Sequence, residues 1–225
     1  MAHPLSKNTA ANGMTSQRTR ARMVDRLYDK GIRNERVLDA MFSVPRHLFV
    51  DEILINRAYD DIALPIGFGQ TISNPYTVAR MSELLINQTE APQKILEIGT
   101  GCGYQTAILL KMGLDVYSIE RLKALHEKAK MNLRSCQLHQ AKLIHGDGHL
   151  GLSQAAPFDG ILATAAAQIL PETLLTQLKA TGRLVLPMGN QDEQYLYLLE
   201  PLSRGVFRKT KLDAVFFVPL LSGKS

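Results

Sequence analysis

The chain has 225 residues, 45% of them apolar types and 21% charged, ordinary globular values that suit one α/β domain with an extension. No apolar run approaches the ~20 residues a membrane span needs, and the opening MAHPLSKNTAANGMTSQ lacks the apolar stretch of a secretory signal, so a cytoplasmic protein is expected. The net charge of +5 owes much to Arg18, Arg20, Arg22 and Arg26, which read as a solvated basic helix face rather than a nucleic-acid module; Cys102 and Cys136 fit neither a disulfide framework nor a zinc pattern.

Residues 1–16 are polar and rich in small side chains, and disorder is expected there. A first helix is predicted from Arg18 to Lys30, with Met23 and Leu27 on one face and Gly31 as its stop signal. A second follows Asn34, carries Val37, Leu38, Met41 and Phe42, and ends before Pro45. ALPIGFGQTISNP is rich in Gly and Pro yet holds Leu64, Ile66 and Ile72, and reads as a compact loop or hairpin. A third helix takes Pro75 into its first turn and shows Val78, Met81 and Leu85 at helical spacing.

From Lys94 the rhythm changes. KILEI, DVYSIE, AKLIH, FDGILATAA and GRLVLPMG read as strands, with helices ending near Met112, spanning Arg121 to Cys136, and lying around LPETLLTQL. Alternating strands and helices predict a parallel, doubly wound sheet. QYLYLLEPL and VFRKTKLDAVFFVPLL have no helix between them and are expected to pair antiparallel at the sheet edge.

The strongest local signal is Glu97-Ile98-Gly99-Thr100-Gly101-Cys102-Gly103, between a strand and a helix. Ligands in such sheets bind beyond the carboxyl ends of the strands, and glycines there let the backbone approach them. A plain glycine turn is the alternative. A dinucleotide fingerprint needs Gly or Ala where this chain has Tyr104, which argues against an NAD-dependent oxidoreductase. The spacing G-x-G-x-G led by Glu97 resembles instead motif I of class I methyltransferases. That resemblance implies S-adenosyl-L-methionine as cofactor, with Glu97, Gly99, Thr100, Gly101 and Gly103 around it. Glu120 ends the next strand, where a carboxylate can accept from both ribose hydroxyls. Asp147 and Gly148, in Gly146-Asp147-Gly148, fall where methyltransferases place an adenine contact; an ordinary Asp-Gly turn is the alternative. His145 and His149 lack a third partner, and no metal is expected.

One segment carries a narrower resemblance. Ala63 to Gly67, then Gly69-Gln70-Thr71-Ile72-Ser73, then Pro75-Tyr76 is similar to the signature of protein-L-isoaspartate O-methyltransferases of the bacterial type. VPRHLFVDE, EIGTGCGYQTAILL, HGDG, FDGILATAA, LVLPMG and AVFFVPLL agree, so the resemblance runs from about Arg22 to Leu221. It implies a Rossmann-like class I methyltransferase sheet, mostly parallel, with antiparallel C-terminal edge strands and N-terminal helices. A single domain over 17–225 is then expected: a helical and substrate-loop part (17–92), a cofactor-binding core (93–190) and C-terminal strands (191–225).

The activity implied is methyl transfer to the α-carboxylate of L-isoaspartyl residues in damaged peptides and proteins, whose ester recloses to succinimide. An α-carboxyl titrates near about 3.5, so the nucleophile is ionised without a general base. By resemblance Ser73 is the catalytic hydroxyl donor, with Thr71 and Ile72 beside the cofactor and Ile72, Val218 and Pro219 beside the substrate. Alternatives are helix capping for Ser73 and a buried edge strand for the Val218 segment. A monomer with no nucleic-acid or membrane partner is expected. The rival reading is a class I methyltransferase acting on RNA or a small molecule, which the basic composition allows.

Overall fold

The computed structural model describes residues 14–87, 92–203 and 205–225, so the expectation of disorder for the first thirteen residues lies outside the described part. Helix α1 (Met14–Asp29) begins four residues before the predicted Arg18, inside the segment assigned to the extension. It buries Met23, Val24 and Leu27. Its arginines are not simply a solvated face: Arg20 Nη1 donates to the Phe42 carbonyl (3.0 Å) and Arg26 Nη2 to that of Tyr59 (2.7 Å). Helix α2 (Glu35–Ser43) is capped by Asn34, whose side chain accepts from Arg36 N, and it stops at the extended residues before Pro45. Two 3-10 segments that the sequence reading missed follow, Arg46–Phe49 and Glu52–Arg57.

The Gly/Pro-rich stretch is a hairpin: β1 (Leu64–Gly67) pairs antiparallel with β2 (Gln70–Ile72). Its tip, Gly67-Phe68-Gly69, has three successive positive φ values (94°, 55° and 68°), a conformation that glycine adopts freely and phenylalanine does not. Helix α3 (Pro75–Ile86) follows, with Pro75 in its first turn and Asn74 as N-cap.

The chain then builds β3 (Lys94–Ile98), α4 (Tyr104–Lys111), β4 (Asp115–Glu120), α5 (Lys123–Ser135), β5 (Lys142–His145), β6 (Phe158–Ala163), α6 (Glu172–Leu175), β7 (Leu178–Gly189), β8 (Gln194–Ser203) and β9 (Val206–Ala214). The strands form one sheet in the order β5-β4-β3-β6-β7-β8-β9. The first five are parallel neighbours, and β8 and β9 add antiparallel at one edge. Strand β3 is buried on both faces, as a central parallel strand must be. The chain leaves β3 to one side for β4 and β5, then returns to its other side for β6. This reversal of strand order opens a crevice at the carboxyl ends of β3 and β6.

Two expectations are corrected. The helix predicted around LPETLLTQL shrinks to the single turn of α6: the Gln177 amide bonds Leu150 O and Leu152 N, and β7 starts at the next residue. The run VFRKTKLDAVFFVPLL is a strand only as far as Ala214. Beyond it the chain leaves the β8 ladder and crosses toward the strand ends, where Ala166 N donates to Val218 O and Leu220 N to Ala166 O, both at 2.8 Å. Apolar composition made this segment look like a buried edge strand, but Phe216 is 80% exposed.

Candidate active site

One cavity lies in the crevice, walled by the glycine turn, the end of β4, the β1–β2 hairpin and the 218–221 segment. Its shape begins with the turn. Gly99 N and Thr100 N both donate to the Ile119 carbonyl (2.8 and 3.2 Å), tying β3 to β4. Gly99, Gly101 and Gly103 have φ of 94°, 56° and 90°, the region open mainly to glycine. A Cβ on Gly99 would stand 2.4 Å from Thr164 Oγ1, which donates to the Gly99 carbonyl at 2.5 Å. Glu120 closes the loop from the other side: its Oε2 accepts from Gly101 N (2.8 Å) and its Oε1 from Leu122 N (2.9 Å).

Most of the sequence-predicted residues meet here. Thr71, Ile72 and Ser73 line the cavity from the hairpin, and Gly99, Thr100 and Gly101 line it from the turn. Glu120, Gly148, Val218 and Pro219 complete the group. Ser73 is not the N-cap of α3, because Asn74 Oδ1 takes that place by accepting from Thr77 N (2.7 Å). Ser73 and Thr71 also line an adjoining groove, so they form the partition between the two.

Three predicted residues stand elsewhere. Glu97 does not line the cavity. It shares its face of β3 with Ile95, under α4, where Thr106 Oγ1 donates to its carboxylate. Burial pushes this carboxyl up to about 7, against the hydroxyls of Thr106 and Ser118, which favour the ionised form. Gly103 caps the start of α4, where a Cβ would meet Leu133 and Ala129 of α5, and it does not line the cavity. Asp147 borders a neighbouring recess that shares only Ile119 with the main one. Burial works against its ionisation, yet the N–H groups of Gly223 and His149 hold its carboxyl below the ordinary value.

Sequence reading missed Thr164, Ala165, Arg121 and Leu220 on the cavity wall. Thr164 and Ala165 directly follow β6, and the rule that ligands gather at carboxyl ends would have found them. Cys102 also lines the wall, but burial pushes its thiol up to about 11, leaving it protonated and unreactive at neutral pH. Tyr104, at the would-be third glycine, is buried edge-on to Phe49 with the Arg46 guanidinium over its ring.

The charged residues among the described cavity wall are Glu120 and Arg121. A pyrophosphate would find little neutralising charge there, whereas a nucleoside with free hydroxyls and a cationic centre suits a buried carboxylate and main-chain donors. Fold and cavity together define a Rossmann-like class I methyltransferase. The family model for protein-L-isoaspartate(D-aspartate) O-methyltransferase matches residues 18–225, and the chain belongs to that family. It is 61% identical to the protein-L-isoaspartate O-methyltransferase of Chromobacterium violaceum, with all of both chains covered. It is 58% identical to that of Dechloromonas aromatica, over 94% of this chain and 97% of the relative. A crystal structure described as the Plasmodium falciparum protein-L-isoaspartate O-methyltransferase, in complex with S-adenosyl-L-homocysteine, superposes with a TM-score of 0.79. It is 27% identical, covering 89% of this chain and 97% of that one.

Proposed function

We infer that this chain is an S-adenosylmethionine-dependent protein-L-isoaspartate O-methyltransferase, esterifying the α-carboxylate of isoaspartyl residues so that the ester recloses to succinimide. The observation that carries the reading at the site is Ser73: a hydroxyl freed from helix capping, set between the cofactor cavity and an open groove. S-adenosylmethionine, when bound, supplies a methyl group on a sulfonium. The chain's own residues hold and orient.

Each oxygen of Glu120 already accepts one main-chain N–H and keeps a second lone pair for a ribose hydroxyl. Glu97 and Gly103 act from behind, fixing the turn rather than touching the ligand, and Asp147 holds the adenine side through the recess it borders. Ser73 donates to the incoming carboxylate, while Thr71, Ile72, Val218 and Pro219 frame it. A neutral donor orients that carboxylate without suppressing its nucleophilicity, as a lysine would. No general base is needed, since an α-carboxyl titrates near about 3.5. Good orientation alone can supply on the order of 7–11 kcal/mol of the barrier.

Among the described residues no helix is long and apolar enough to cross a membrane. Both cysteines are free, which supports a reducing, cytoplasmic setting, and we propose a monomer without a nucleic-acid partner. The deciding experiment compares matched isoaspartyl and aspartyl peptides with labelled cofactor, following base-labile esters and then succinimide. Labelling of the isoaspartyl peptide alone is expected. Acidity cannot separate the two peptides, but the extra backbone methylene shifts the carboxylate, and about 1 Å can cost about a hundredfold in a positioned reaction. Equal labelling would overturn the repair assignment.

A further inference from the structure

Gln194 opens β8 on the face that also carries Leu196 and Leu198, both buried. Periodicity calls for an apolar residue there, and a buried amide is costly unless both its ends are bonded. Both are. Gln194 Oε1 accepts from Phe217 N (2.7 Å), and Gln194 Nε2 donates to Phe217 O (3.1 Å). The Gln194 main-chain carbonyl also accepts from Val215 N (3.0 Å). The side chain therefore stands in for a strand partner at the point where the chain has left the ladder.

The consequence is directional. With Phe217 pinned inward and 7% exposed, Phe216 must face outward. Residues 215–217 line the groove that shares Thr71 and Ser73 with the cavity, together with Tyr76 and Arg80. Downstream the segment has a separate anchor, since Val218 and Leu220 are tied to Ala166. Two anchors thus divide one segment: Ala166 holds the part against the cofactor cavity, and Gln194 holds the part along the groove.

We propose that Gln194 is a positioning residue for the peptide substrate, fixing the 215–217 wall against which the chain flanking the isoaspartyl residue lies. It rests on the functional reading above. An extended peptide is bound through such a wall only when the wall keeps one conformation, because ordering it on binding would be charged against affinity.

The test uses the full chain with Gln194→Ala, which removes both bonds and the side-chain volume, and Gln194→Met, which removes both bonds but keeps the volume and buries no charge. Gln194→Met also keeps the test open should the alanine variant not fold. Each is expected to raise KM for an isoaspartyl peptide about tenfold or more. In both, kcat and the calorimetric Kd for S-adenosylhomocysteine should stay within about twofold, because the Ala166 anchor is untouched. An active wild type whose variants keep their peptide KM overturns this inference alone. So does a parallel rise of peptide KM and cofactor Kd, which marks general loosening. A wild type that methylates no isoaspartyl peptide overturns the functional reading and this inference with it.

Discussion

At the scale of single residues, Asn74 caps α3, and the proposed role of its neighbour Ser73 as donor to the substrate can be separated from that cap. Ser73→Ala should lower kcat by the worth of one donor to a charged group, roughly 1–3 kcal/mol, with melting temperature and cofactor affinity kept. Asn74→Ala should do the reverse, costing about 1 kcal/mol of stability through the lost cap. Turnover measured beside thermal unfolding distinguishes them, and a Ser73→Ala variant with normal turnover would remove its catalytic role. Glu120 is less divisible. It accepts from Gly101 and Leu122, so Glu120→Ala removes the proposed ribose acceptor and also loosens the turn. Calorimetry should show cofactor binding weakened about tenfold or more; unchanged affinity would exclude Glu120 from the site.

At the scale of elements, the glycine turn is held by its surroundings rather than by its own preference. Gly99→Ala would place a Cβ 2.4 Å from Thr164 Oγ1 at a φ of 94°. The Thr164 hydroxyl would have to abandon the Ile98 and Gly99 carbonyls. We expect a loss of roughly 2–4 kcal/mol in urea unfolding, with weaker cofactor binding; a variant with wild-type stability would mean that the turn yields easily. This turn was legible in the sequence because strand, glycines and Glu120 lie in one local register, each signal reinforcing the next. The hairpin and α3 were legible for the same reason, from Gly67, Gly69 and Pro75. What was not legible depends on partners far along the chain. The resemblance puts Glu97 beside the cofactor, and nothing local to its motif shows that Thr106 of α4 lies over it. Periodicity cannot show that Gln177 ends α6 early, nor that Gln194 takes Phe217 out of the ladder and turns an apolar run into a groove wall.

At the scale of the whole molecule, net charge and composition indicated a basic α/β domain, while the use made of the charges came only with the fold. Arg20 and Arg26 staple α1 to neighbouring carbonyls, and Lys209 and Lys211 lie over Tyr197 and Tyr195 near the exposed edge strand. The buried titratable groups set a testable pH dependence of global stability. Glu97 is held up at about 7 in the fold, against an ordinary 4.5. Between those values the folded state binds the extra proton, so stability falls as pH rises through this window and the loss is complete above it. The size is roughly 3 kcal/mol, at about 1.4 kcal/mol per unit. His126 and His47 act in the opposite sense: burial holds both below 6.5, so their contribution is present above that value and lost on acidification. The two windows overlap and partly cancel, which makes the wild-type curve a poor witness. Glu97→Gln isolates one side, because its amide oxygen can still accept from Thr106 and it has no charge to bury. Denaturant unfolding of both proteins at pH 5, 6.5 and 8 should show the variant gaining on wild type as pH rises, by a few kcal/mol over the range. A difference that stays flat from pH 5 to 8 would mean that Glu97 ionises at its ordinary value, and that the carboxylate beneath the turn is charged in the working enzyme.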